Sequence, residues 1–241
     1  TACSLLAVVL TRTAQRELDD KATIFVGSDL AMNVKETAVV PSALTDRATT
    51  VVRLVGDLDG RKVDILGVDP ATFARAVHWS DRASSRSLPS LLVAIDAPTV
   101  PADGIPAIVV NWPELTKPVT LAGSNDDTPI PIRPVATADY FPGFQSATLM
   151  LVVDIRAIST IEVPHRSALW VRDPPADAAA LAQAAGLHIQ SQTHADQVFD
   201  VLTYSAERWS YGPLAAFGLL VAVMALTMQL LVIDARLATR R

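Results

Sequence analysis

Residues 214–233 read LAAFGLLVAVMALTMQLLVI, twenty consecutive positions without a charge. At about 1.5 Å per residue, a helix of that length spans roughly 30 Å, the thickness of a bilayer's hydrocarbon core. A core helix of a soluble protein rarely runs this far without one polar face. Trp209 and Tyr211 precede the run where an aromatic belt would lie, and Arg236, Arg240 and Arg241 follow it. The pattern predicts a transmembrane helix over 214–233, inside a segment 209–241 whose basic flank is cytoplasmic. With that orientation, residues from about 11 to 213 are extracytoplasmic.

The opposite end carries a shorter apolar run. Residues 2–10 are apolar but too few to span a bilayer, and Arg12, Gln15, Arg16 and Glu17 continue with helical composition. We read residues 1–10 as the outer end of a truncated transmembrane helix. No basic stretch precedes them and no small-residue cleavage site follows, as a signal peptide would require. The chain begins at Thr1, and the expectation is a piece of a longer, multi-pass polypeptide.

Between the two apolar ends lies an α+β pattern. Residues 24–26 and 30–34 look extended on either side of Gly27-Ser28-Asp29. Val51 to Val55 form a β-branched run, Asp59-Gly60 supplies a turn, and Val63 and Ile65 alternate as a strand. Asp69 followed by Pro70 reads as a helix start, with the helix running to about Val77. From Ser84 to Gly143 helical periodicity fades, and most of the chain's 16 prolines fall there. Short apolar pieces at 107–110, 119–121 and 130–132 then suggest a small β-rich subdomain with prolines on edge strands. After Gly143, residues 149–153 and 168–171 read as strands. Asp154 is placed to cap a short helix through Ile158, residues 176–185 form a helix ending at Gly186, and 187–190 read as a strand. A further helix is expected from about Ala195 toward the membrane. The plan is an α/β subdomain in two parts, 11–83 and 144–208, split by an inserted β-rich subdomain at 84–143.

Several chemistries are excluded or unsupported. The net charge of −5 offers no basic face for nucleic acid. Cys3 is the only cysteine, so no internal disulfide forms. His78, His165, His188 and His194 lack the spacing of a helical zinc site, and no G-x-S-x-G, Walker A or G-x-G-x-x-G motif occurs. Residues 123–127, GSNDD, lack the spacing of a calcium loop and read as a polar hairpin turn. No catalytic, cofactor-binding or metal-ligating residue is therefore assigned. Trp79 reads as a packing anchor, the aromatic cluster at 140–144 as a packed turn, and Arg156, Arg166 and Arg172 as surface charges or ion-pair partners.

The order of these segments resembles a family. An apolar helix end is followed by Val26-Gly27-Ser28-Asp29-Leu30, then by Gly67-Val68-Asp69-Pro70-Ala71-Thr72-Phe73. Tyr140-Phe141-Pro142, residues 149–154 and Ala168-Leu169-Trp170-Val171 come next, and the apolar run with its arginines closes the series. This is similar to the extracytoplasmic domain of FtsX/MacB-like ABC transporter permeases, in particular the long actinobacterial form. Ser28 departs from the alanine usual in the first motif, and Gly143 from the usual F-P-T step. The resemblance implies a porter-like α/β subdomain with a smaller β lobe, a membrane location, and no cofactor in this chain. It implies an ABC ATPase subunit holding ATP and magnesium, membrane lipid, and a second permease copy or a periplasmic or lipoprotein partner. The function it implies is mechanotransmission that exports or mobilises a hydrophobic or envelope-associated substrate. The competing expectation is a membrane-anchored sensor or binding module without transport. A membrane-tethered hydrolase would need a nucleophile and base that the sequence does not display.

Overall fold

A computed structural model describes residues 24–35, 37–97, 99, 101–123, 129–144, 149–159 and 165–200, together with Val223, Met224 and 227–229. The predicted spans at 1–10 and 214–233 lie almost wholly outside the described residues. The five described positions of the second span are helical, and Val223, Met224 and Met228 are exposed. Among the described residues no helix is long and apolar enough to cross a membrane. The chain divides into two units, residues 23–195 and a second made of 1–22 with 196–241. The first carries nearly all the described structure.

Nine strands form one mixed sheet in this unit. They are β1 (Leu30–Val34), β2 (Ala48–Leu58), β3 (Arg61–Val68), β4 (Ile105–Val110), β5 (Val119–Gly123), β6 (Pro129–Ala138), β7 (Leu149–Asp154), β8 (Arg166–Val171) and β9 (Ile189–His194). The hydrogen-bonded order is β3-β7-β4-β6-β5-β2-β8-β1-β9, and β3 also pairs with β2. Six strands therefore close on themselves as the ring β2-β3-β7-β4-β6-β5. Strand β2 is long enough for two neighbours on its far edge. Its first half pairs with β8 and its last residues, Gly56 and Asp57, with β5. The remaining strands β8, β1 and β9 leave the ring as a flap.

Alternation explains the ring. Val52 and Leu54 on β2, Ile65 on β3, Ile105 on β4, Ile132 on β6 and Val153 on β7 all turn inward into one aliphatic cluster. The fill leaves a residual void of only about 10 Å³, apolar and too small for a water with polar partners. The ring closes over Gly56. A Cβ there would lie 3.2 Å from both Ile65 Cδ1 and Leu121 Cδ1, so β5 approaches β2 across a position with no side chain. Helix α1 (Phe73–Ala76) lies beside β2, and α2 (Leu88–Ile95) covers the outside of β4, β6 and β7. Helix α3 (Ile155–Ile158) adds Ala157 and Ile158 to the interior cluster. One face of the flap is covered by a second cluster joining Leu30, Met32, Leu169 and Val171 to Ala178 and Ala182 of α4 (Ala178–Ala184).

Several sequence expectations hold in detail. The Asp154 carboxylate accepts the Arg156 N–H at 2.9 Å and caps α3. Helix α4 ends in paired bonds from Gly186 N to Gln183 O and from Leu187 N to Ala182 O, the pattern of a Schellman stop. Other expectations are corrected. Residues 24–26 are helical, not extended. Residues 88–95 form α2, with Leu88, Leu91, Leu92 and Ile95 buried, although Pro89 suggested otherwise. Proline is tolerated in a first helical turn, where its missing N–H has no partner to lose. The stretch 84–143 is not a separate lobe, because β4, β5 and β6 sit between β7 and β2 in the same sheet. Their prolines sit on strands of the ring, with Pro129 and Pro131 exposed, and Pro134 falls where the β4–β6 register shifts, a bulge that spares a ladder bond. Strands β5 and β6 pair antiparallel up to Ala122 and Pro129, and the hairpin turn expected between them lies outside the described residues. Continuation of the Ala195–Asp200 3-10 helix toward the membrane also lies outside them.

Candidate functional site

The motif segments, distant in sequence, meet around Trp170. This indole is almost fully buried at the end of β8. Its ring passes between two backbone turns, at Gly27 and Gly143. Both glycines have φ near +90°, a conformation that costs other residues strain. A Cβ on Gly27 would lie 2.2 Å from the indole, and one on Gly143 2.5 Å from it, both far inside contact distance. The two turns are tied together by a 2.7 Å bond from Gly143 N to Ile24 O. Only glycine on both sides lets the slot close on the ring.

Aromatic packing extends the cluster. Phe73, supplied by the Gly67–Phe73 segment, stacks on Phe141 at 5.4 Å and tilts against Trp170 at 5.9 Å. Trp79 meets Phe141 edge-on at 5.7 Å. Trp79 is thus a packing anchor, and Phe141 is the buried core of its turn. Asp69 holds the approach to Phe73. It accepts the Ala71 N–H at 3.1 Å and the Thr72 hydroxyl at 2.7 Å, and its carbonyl accepts from Phe73 N at 2.9 Å. The carboxylate therefore caps the turn before α1, and the regular helix starts three residues later than the Asp-Pro signal suggested.

Arg53 crosses the seam from β2. Its Nη1 donates to Asp64 of β3 at 2.9 Å, and its Nη2 to the Gly143 carbonyl at 2.5 Å. Burial pushes the Arg53 pKa down and the Asp64 pKa up, and in each case the opposite charge only partly offsets it. One guanidinium thus joins the ring to the slot.

Asp29 is the second hub. Its carboxylate meets His78 Nε2 at 3.0 Å and accepts from Asp173 N at 2.8 Å, while its carbonyl accepts from Ala195 N at 2.9 Å. Ser28 beside it donates to the Ala76 carbonyl at 2.6 Å in a buried position. Ser28, Asp29 and His78 include a nucleophile and a base by residue type. The serine hydroxyl is committed to a backbone carbonyl and the imidazole to Asp29, so they form no relay. The arrangement supplies alignment: it fixes where the chain enters the unit relative to both β8 and β9.

No family model matches the chain, and no curated protein matches it. Among solved structures it is similar to the extracellular domain of the noncanonical ABC-type transporter YknZ from Gram-positive bacteria, with a TM-score of 0.36 and 7% identity, over 68% of this chain and 98% of that one.

The other singled-out residues are dispersed. Arg156 pairs with Asp154 and Asp96, while Arg172 approaches Asp173 at 3.8 Å. Arg166 stands exposed on β8. His194 lies opposite Leu30 at the end of β9, and among the described residues no group of three potential ligands gathers for a metal. Sequence reasoning missed Arg53 and Asp64. The signal was an arginine and an aspartate on the two arms of one hairpin, each set among β-branched residues.

Proposed function

We propose that the chain is the extracytoplasmic and membrane segment of an ABC transporter permease of the FtsX/MacB type. In this reading a separate ATPase moves the membrane helices, and the folded unit carries that motion to a hydrophobic or envelope-associated substrate. The observation that carries the reading is the closure at Asp29 and Ala195. The unit begins and ends side by side, with Leu30 opposite His194 and the Ala195 N–H on the Asp29 carbonyl. A domain inserted between two membrane helices needs its two connections adjacent. The uncharged run at 214–233 and the order of the motifs support the same reading.

A relay needs a stiff connection to the membrane. Gly212-Pro213 is its weak point, because proline removes a backbone donor and clashes with the preceding turn. A Gly-Ser-Gly-Ser insertion after Ser210 in the full-length protein should leave the complex assembled and expressed yet uncouple ATP hydrolysis from the envelope phenotype. Native mass spectrometry of the detergent-purified complex should show an ABC ATPase bound. A complex without an ATPase overturns the permease reading and favours a tethered sensor. An intact phenotype with the insertion present overturns mechanotransmission.

A further inference from the structure

Beside Trp170, on the open face of the flap, lies a hollow of about 160 Å³. Strand alternation builds it. Leu30, Met32, Leu169 and Val171 turn to the covered face of the flap. The alternate residues Ala31, Val51 and Ala168 turn the other way and form a low, buried floor. Trp170, Arg53 and Arg166 line it as well, with the Arg53 guanidinium held at the Gly143 turn beside the indole. Asn33 and Thr193 add polar edges. The Asn33 amide N–H is given to Ser191 Oγ at 2.8 Å, so its carbonyl oxygen remains to accept from a ligand.

The two arginines are directly opposite each other on β2 and β8. Like charges in that position destabilise a sheet. Asp64 neutralises Arg53. Arg166 is exposed, and among the described residues it has no ion-pair partner and no acidic side chain lines the hollow. The two guanidiniums and one carboxylate leave a single positive charge facing an otherwise neutral hollow.

We propose that this hollow binds a phosphodiester of a small polyol. The phosphate sits between the guanidiniums of Arg53 and Arg166, and the polyol lies over the alanine floor toward Asn33 and Thr193. Charge and geometry both favour this ligand. A phosphodiester carries one negative charge, matching the single unneutralised cation. Arg53 has given one N–H of Nη1 to Asp64 and one of Nη2 to Gly143, so three of its five donors remain for the ligand. A tetrahedral phosphate presents separate oxygens to the donors of two guanidiniums at once. The hydroxyls of the polyol reach the Asn33 carbonyl and the Thr193 hydroxyl. A phospholipid headgroup and a free glycerophosphodiester share this chemistry.

The test titrates the full chain, purified in a maltoside detergent at low salt, by calorimetry. One probe is glycerophosphoglycerol, and the other is dihexanoyl phosphatidylglycerol below its micelle concentration. Arg166→Gln should weaken binding about tenfold or more, Arg166→Lys should weaken it less, and Arg82→Gln, away from the hollow, should leave it unchanged. Binding of both probes identifies a soluble diester as sufficient, and binding of the lipid probe alone identifies a headgroup. Without ligand, Arg166→Gln should unfold at the same temperature as the parent or higher, because it removes the like-charge opposition. Absence of binding by both probes, or equal affinity in Arg166→Gln, overturns the proposal. A lowered unfolding temperature in ligand-free Arg166→Gln assigns Arg166 a structural role and also overturns it.

Discussion

The interior of the ring and the seam around Trp170 are both buried, but they are held in different ways. Inside the ring, aliphatic side chains from six strands fill space by volume, and any one of them has several neighbours to relax against. At the seam, one large ring is held between two backbones that carry no side chain, and the backbones are bonded to each other. The first region is tolerant in kind and sensitive to size. The second has almost no tolerance, because backbone cannot rotate away. Packing by side chains makes a core; packing by backbone makes a joint whose geometry is fixed.

That contrast can be broken at the seam. Trp170→Ala should cost about 4 kcal/mol, and Gly27→Ala alone about 3 kcal/mol from overpacking plus positive-φ strain. In the Trp170→Ala background the Gly27→Ala cost should shrink to its backbone share, about 1 kcal/mol. Denaturant titration of the detergent-purified chain measures all three, and additive costs would show that the two residues do not share a slot. Within the ring, Gly56→Ala should cost about 2 kcal/mol, because Ile65 and Leu121 must each give way. A midpoint equal to the parent's would mean that β2 and β5 are not tightly closed there. Asp69→Ala should cost about 1 kcal/mol through the lost cap before α1. An unchanged midpoint and slope would remove Asp69 from the capping role.

The smallest effect is a pH slope across the ring–seam link. Burial raises the Asp64 pKa above its ordinary 3.8, so the folded chain holds that proton more tightly than the unfolded one. Between the ordinary and the raised value the native state binds more protons, and this group's contribution to stability falls as pH rises. Asp64→Asn removes that contribution. Its stability should decline less than the parent's as pH rises through the mildly acidic range. Parallel pH profiles would show that Asp64 titrates normally.

The ring's strands were legible because inward residues alternate, as at Val63 and Ile65 or Leu151 and Val153. Its closure was not. The pairing of β3 with β7 and of β4 with β6 joins segments that no local pattern relates, so residues 84–143 read as a lobe when they are the middle of the sheet. Helix α2 was legible in principle from Leu88, Leu91, Leu92 and Ile95, whose spacing is helical, but the proline count concealed it. At the seam, the sequence marked Gly27, Phe73, Phe141 and Trp170 as separate motifs. Their meeting depends on two glycine turns facing one ring, which is a three-dimensional fact. The hollow was invisible for a related reason, since Arg53 and Arg166 become neighbours only through the β2–β8 register.

Strand β1 lies between β8 and β9, both formed from the far end of the unit. The Ala38 N–H is bonded to the Ser167 hydroxyl, 129 residues further along. Synthesis proceeds at roughly 5–20 residues per second, so β1 leaves the ribosome on the order of ten seconds before its partners exist. The hairpin of β2 and β3 forms from local pairs in the meantime. The strand that starts the unit is therefore among the last to find its place. During each round of translation its backbone waits unpaired, and the interval exposes it to whatever holds or degrades nascent chains.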